Sequence, residues 1–158
     1  MNLYHGTNIN FEAIDLTKSK PYKDFGKGFY LTDIQNQALL MAQRKCELEG
    51  CGSPIILSYE FDEKHLIDGS LNVKSFENVS EEWAKFIISN RNRKIHAKSH
   101  DYDIVIGPIA DDGVAYQINR YMQGMIDLEV LVRELTFRKL NRQYFFGTDK
   151  AISYLKRL

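Results

Sequence analysis

Cysteine is scarce: the chain holds only two, too few for the disulfide framework of a small secreted scaffold. Cys46 and Cys51 invite grouping with His96 and His100 as a zinc set, because the two histidines stand four apart. The spacing argues against it. Cys46 falls on a predicted helix and Cys51 in the "EGCGSP" turn, whereas zinc sites use tighter pairs. The expectation is free thiols in a reducing compartment, with no metal. An excess of either charge is also missing, since Lys plus Arg and Asp plus Glu number 21 each. Bulk electrostatics therefore gives no reason to expect nucleic-acid or membrane binding, although a local basic patch stays open. No apolar run approaches a membrane span, and the opening "MNLYHGT" lacks a basic segment followed by an apolar stretch. These absences predict a cytoplasmic protein without membrane association. Repeats and low-complexity tracts are missing too, which excludes a solenoid.

What is present fits one compact domain over residues 1–158, with 44% hydrophobic residues to fill a core of ordinary size. A short strand is predicted from Leu3 to His5, followed by a long surface loop, "NINFEAIDLTKSKPYKD", with room for one short strand. Long loops in small domains often carry function. "GFYLT" predicts a strand from Phe29 to Thr32. Asp33 is then placed as N-cap of a helix with Ile34, Ala38, Met41 and Ala42 on its inner face, ending at the Gly50, Gly52 and Pro54 breakers. "PIILSYEF" and "YDIVIGPI" read as strands. "NVSEEWAKFIISNR" reads as a helix capped by Ser80, with Trp83, Phe86 and Ile87 inward. The next helix, "DDGVAYQINRYMQGMI", turns Val114, Ile118, Tyr121, Met122 and Met125 inward, and a short helix spans Leu128 to Leu135. "NRQYFFGT" gives a final strand, and Thr148 caps a closing helix, "DKAISYLKRL". Strands and helices alternate irregularly, so the fold class is α+β.

Two stretches carry chemistry. "YHGT" puts a histidine and a glycine at a strand end, and "DFGKGFYLTD" sets two glycines ahead of a tyrosine. Together they resemble the NAD-binding signature of the poly(ADP-ribose)-polymerase-like and diphtheria-toxin-like ADP-ribosyltransferases. In that superfamily an "HGT" or "HGS" strand end precedes a "GKGxYFAD"-type segment. A late strand there supplies a glutamate, and in "NRQYFF" Gln143 occupies its position. The resemblance extends over most of the chain. It looks like a bacterial family of domains once without a known function, related to these transferases and often found in toxin-antitoxin or defence loci.

The resemblance implies an ADP-ribosyltransferase-like split β-sheet flanked by helices, with NAD as co-substrate and no metal. It implies catalytic roles for His5, Tyr30 and Gln143, and NAD binding by His5, Gly6, Thr7, Gly28, Tyr30 and Gln143. His5 can hydrogen-bond a ribose hydroxyl while the Gly6 backbone approaches the carboxamide. Tyr30 offers a ring to stack on nicotinamide, positioned by Gly26 and Gly28. Lys27 reads as a solvated turn residue, and Phe29 faces the core opposite Tyr30. Where the polymerase-like pattern carries a serine and a second tyrosine, this chain has Ala38 and Met41. Glutamine at 143 keeps a hydrogen bond but loses the negative charge that stabilises a cationic transition state, so chain elongation is not expected. Glu129 and Glu134 read as solvated helix faces, and Asp111 and Asp112 as capping residues. The expected activity is mono-ADP-ribosylation of a macromolecule, protein or nucleic acid, by a toxin or defence effector held by an antitoxin protein. The alternatives are a catalytically silent NAD-binding module and an NAD glycohydrolase. Arg91, Arg93, Lys94 and Lys98 form the one basic cluster.

Overall fold

A computed structural model describes residues 1–94, 97–136 and 140–158, which form a single α+β domain. His96 lies outside the described residues. β1 (Asn2–Thr7), β3 (Ile55–Glu60) and the short β7 (Lys156–Arg157) make one antiparallel sheet in the order β1-β3-β7. β2 (Phe29–Leu31), β6 (Arg142–Phe146), β5 (Ile104–Pro108) and β4 (Val73–Ser75) make the second, in the order β2-β6-β5-β4. Tyr4 and Thr32 exchange backbone hydrogen bonds of 2.8 and 2.9 Å, so an isolated bridge stitches the two sheets where β1 passes β2.

Side-chain alternation divides the interior in two. Phe29 and Leu31 join Leu3, Leu57, Tyr144 and Phe146 in one cluster, and Tyr30 packs with Phe145, Phe25 and Trp83 in the other. A strand buried on both faces has to be apolar at successive positions, which is why "QYFF" and "IVIG" read as continuous runs. The second cluster is roofed by three helices: α2 (Glu81–Arg91), α3 (Asp112–Met122) and α4 (Leu128–Thr136). The Ser80 hydroxyl caps α2 at the Trp83 amide, and the Asp111 carboxylate caps α3 at the Val114 amide, as their positions in the sequence predict.

α1 (Gln35–Glu49) departs from its expected face. Ile34 and Met41 are exposed, and only Ala38 and Ala42 are buried. The cause is close approach to β1. A Cβ on Gly6 would lie 2.0 Å from the Ala38 carbonyl oxygen and 2.9 Å from the Ala42 nitrogen, so only small residues fit on either side. The cap also differs. Ile34 occupies the N-cap position with no side-chain bond, its amide donates to the Thr32 hydroxyl, and the Asp33 carboxylate accepts from the Tyr144 hydroxyl.

Three further expectations are corrected among the described residues. The loop from Asn8 to Asp24 contains a 3-10 turn, Leu16–Lys18, capped by Asp15, and no strand. α3 stops at Met122, where Gly124 with φ 73° turns the chain, so Met122 and Met125 are exposed. The closing helix, α5 (Asp149–Ile152), is capped by Thr148 as expected but lasts one turn. The chain then adds β7 to the edge of β3, pairing Tyr59 with Arg157. No helix among the described residues is long and apolar enough to cross a membrane.

The contact between Gly6 and α1 generates a prediction. Gly6→Ala drives a methyl group into helix backbone that has no side-chain freedom to yield, and is expected to destabilise the fold by about 3 kcal/mol or more in urea unfolding. Gly50→Ala, at an open helix C-cap with φ 64°, is expected to cost only about 1 kcal/mol from backbone strain.

Candidate functional site

His5 sits on β1 with its ring on the Phe29 side, the two ring centroids 4.4 Å apart, while alternation turns Gly6 to α1. Its Nδ1 lies 2.7 Å from the Tyr30 carbonyl oxygen. A carbonyl can only accept, so Nδ1 carries the ring proton and Nε2 is left with a lone pair. Burial among aromatic rings lowers the His5 pKa to about 4, and the nearby charges of Lys45 and Lys23 push the same way. The imidazole is thus neutral at physiological pH and offers one acceptor, suited to a hydroxyl.

Tyr30 projects from β2 to the opposite side. Its hydroxyl donates to the Gly26 carbonyl at 2.7 Å and accepts from the Phe25 amide at 3.1 Å. Both functions of the phenol are used in holding the loop, and burial pushes its pKa well up, so it serves as a ring and an anchor and not as a base. Phe145 meets the ring edge-on at 5.3 Å, and the Lys23 ammonium stands 4.9 Å from its centroid. The face of Tyr30 is therefore already arranged to attract a cation.

Gln143 is buried on β6, opposite Gly107 of β5. Its amide Nε2 donates to the Asp24 carboxylate at 3.4 Å. The other Asp24 oxygen accepts from Arg91 at the end of α2, at 2.7 Å from Nε and 2.5 Å from Nη2. The Asp24 side chain is 13% exposed and that of Arg91 21%. A carboxylate thus reaches the position where β6 itself carries only an amide. Sequence reasoning quoted Asp24 at the head of "DFGKGFYLTD" and Arg91 in the basic cluster but gave neither a place in this site. The available signal was the pairing of an acid in a glycine-rich loop with a missing acid on the strand.

The remaining expected residues have structural partners. Thr7 is buried and its hydroxyl donates to the Ile9 carbonyl. Gly28 donates its amide to the Ser19 hydroxyl and accepts from the same hydroxyl at its carbonyl, with Phe145 close against its α-carbon. Gly26 adopts φ 90°, which lets its carbonyl turn to the Tyr30 hydroxyl. Lys27, Glu129 and Glu134 are exposed, and Phe29 is buried, as expected. His5 and Tyr30 are joined through a backbone carbonyl and Gln143 to Asp24 through its amide; among the described residues no direct bond links the two pairs. Cys46 and Cys51 are free thiols, and no group of three or more metal-ligating side chains is found among the described residues.

These elements define an α+β domain with two stitched sheets and a polar site around a glycine-rich loop. The family described as "Protein of unknown function (DUF3990)" matches residues 1–157, and the chain belongs to it. No curated protein and no solved structure matches the chain.

The histidine yields a pH prediction. His5 titrates near 4 in the folded protein against 6.5 when unfolded, so the unfolded chain binds the extra proton first as pH falls. The His5 contribution to stability is complete above pH 6.5 and declines down to about 4. Urea midpoints measured over this window are expected to fall more steeply for the native protein than for His5→Gln, and the His5 ring resonances are expected to stay in the neutral form at pH 6.

Proposed function

We propose that the protein is a mono-ADP-ribosyltransferase that takes ADP-ribose from NAD and gives it to a macromolecular acceptor. One observation carries this reading: the Asp24 carboxylate stands 3.4 Å from the Gln143 amide, supplying the negative charge whose loss from β6 otherwise speaks against catalysis. The resemblance of "YHGT" and "GKGFY" to the transferase signature supports it, as does the neutral His5 acceptor. Among the described residues the chemistry of the donor set suits NAD without calling on a metal. A ring face that already attracts the Lys23 ammonium suits the cationic nicotinamide ring once that flexible side chain moves away.

In the reaction, the bond between the nicotinamide nitrogen and the ribose C1 breaks, and neutral nicotinamide leaves with the electron pair. Positive charge spreads over the ribose C1 and ring oxygen, where a fixed carboxylate lowers the barrier. An acceptor nucleophile then bonds to C1 and gives up its proton, to Asp24 or to water. His5 Nε2 and the Gln143 amide hold ribose hydroxyls, so that C1 faces the carboxylate. Tyr30 keeps the Phe25–Gly26 backbone in place behind it. A toxin role and an antitoxin partner belong to this reading through the resemblance alone.

The silent-module reading draws on Arg91, whose guanidinium takes one Asp24 oxygen and offsets its charge. Nicotinamide release decides between the two. Asp24→Asn is expected to slow release about a hundredfold, in keeping with the loss of one preorganised electrostatic group. Gln143→Glu alone places two carboxylates side by side, so one takes up a proton and little is gained. The double variant Asp24→Asn/Gln143→Glu moves the charge to β6 and is expected to recover most of the rate. No release by the native protein would support the silent module, and an unchanged rate in Asp24→Asn would remove Asp24 from the mechanism.

A further inference from the structure

The chain is neutral overall, yet its cations are not evenly spread. Two basic segments far apart in sequence are drawn together: one carries Lys20 and Lys27, the other Arg93, Lys94 and Lys98. Four contacts hold them side by side. Arg91 grips Asp24, the Arg93 guanidinium lies 5.9 Å from the Tyr22 ring centroid, the Asn90 amide oxygen backs onto Gly26, and the His100 ring lies 2.8 Å from the Phe25 carbonyl through Nε2. The acids nearby each have a cationic partner: Asp24 has Arg91, Asp101 has Lys98 at 3.4 Å, and Asp15, which also feels Lys27, has Lys18 at 4.0 Å.

Between the two segments lies a cavity of about 430 Å³, with Pro21, Tyr22 and His100 in its wall, Lys27 and Lys98 at its edge, and the buried Phe25 and Phe145 beneath. His5, Tyr30 and Gln143 are not among its lining residues. The Asp24–Gly26 stretch is a wall common to both sites, with Asp24 toward Gln143, Gly26 lining the cavity and the Phe25 ring buried behind it. Tyr22 holds φ 63°, a conformation unfavourable for a bulky side chain. That strain persists where surrounding structure fixes it, and here it sets an aromatic ring at the cavity mouth beside a guanidinium.

Lysines and an arginine flanking an aromatic-walled cavity match the chemistry of a polynucleotide with an unpaired base. Phosphates lie along the rims and the base stacks inside. An acidic peptide would use the rims but not the rings, and a duplex keeps its bases out of such a cavity. We propose that this cavity and its basic rims bind single-stranded nucleic acid, with one base seated against the half-buried Tyr22 ring. Its role as the ADP-ribose acceptor rests on the transferase reading of the adjoining site; the binding itself does not.

Fluorescence anisotropy with short labelled single-stranded DNA and RNA, in the absence of NAD, tests this. Binding is expected at about 50 mM salt and is expected to weaken at least tenfold by about 200 mM. Tyr22→Gly relieves the strained backbone, so the melting temperature is expected to hold or rise while affinity falls about tenfold from lost stacking. The Lys27→Gln/Arg93→Gln/Lys94→Gln variant is expected to flatten the salt dependence. Absence of salt-dependent binding, equal competition by duplex or poly-glutamate, or native affinity in folded Tyr22→Gly would each overturn the proposal. Oligonucleotide binding without nicotinamide release leaves it standing and removes the transferase reading. Release without oligonucleotide binding overturns it and leaves the transferase reading in place.

Discussion

Asp24 joins three parts of the molecule that lie far apart in sequence. Its carboxylate takes a hydrogen bond and an ion-pair contact from Arg91 at the end of α2 and a hydrogen bond from Gln143 on β6, while its own backbone lies in the loop before β2. A largely buried carboxylate left without such partners is costly, and removing one partner of a buried pair exposes that cost. The loop therefore has strong reason to stay where Arg91 holds it. Around this clamp the other loop contacts follow in register: Tyr30 bonds both Phe25 and Gly26, His100 meets the Phe25 carbonyl, and Ser19 bridges both polar groups of Gly28. A segment with almost no regular structure of its own becomes a fixed wall.

The sheets set the other half of the geometry. Helix α1 presses so closely on Gly6 that β1 can tolerate no side chain there, and the Tyr4–Thr32 bridge then ties β1 to the end of β2. With β1 and β2 fixed, His5 has one good partner, the Tyr30 carbonyl, and that partner decides its tautomer. Helix packing, tautomer and the acceptor left at Nε2 are successive consequences of small residues at three positions, Gly6, Ala38 and Ala42.

Much of this was legible in the sequence where the signal is local. Ser80, Asp111 and Thr148 announce helix starts because a short polar side chain can satisfy amides only two or three residues away. The strands of "IVIGP" and "RQYFF" announce themselves by runs of apolar residues. Local signals also misled. Ile34 and Met41 fit a helical spacing, but spacing cannot tell that α1 turns its alanines to β1. Asp33 looks like a cap, yet it bonds Tyr144, 111 residues away. The link between Asp24 and Gln143 spans 119 residues and leaves no periodic trace, so the sequence exposed a missing acid and the structure a carboxylate beside the gap. The closing helix failed as a prediction because β3 offers a free edge that the last residues pair with.

The central claim is that NAD lies across His5, Tyr30, Gln143 and Asp24. A crystal structure with carba-NAD, in which a methylene group replaces the ribose ring oxygen and cleavage is blocked, addresses it directly. The account predicts ribose hydroxyls within hydrogen-bond distance of His5 Nε2 and the Gln143 amide, with the Asp24 carboxylate facing the ribose C1. A dinucleotide lodged instead in the cavity between Tyr22 and His100, or absent at saturating concentration, would contradict it.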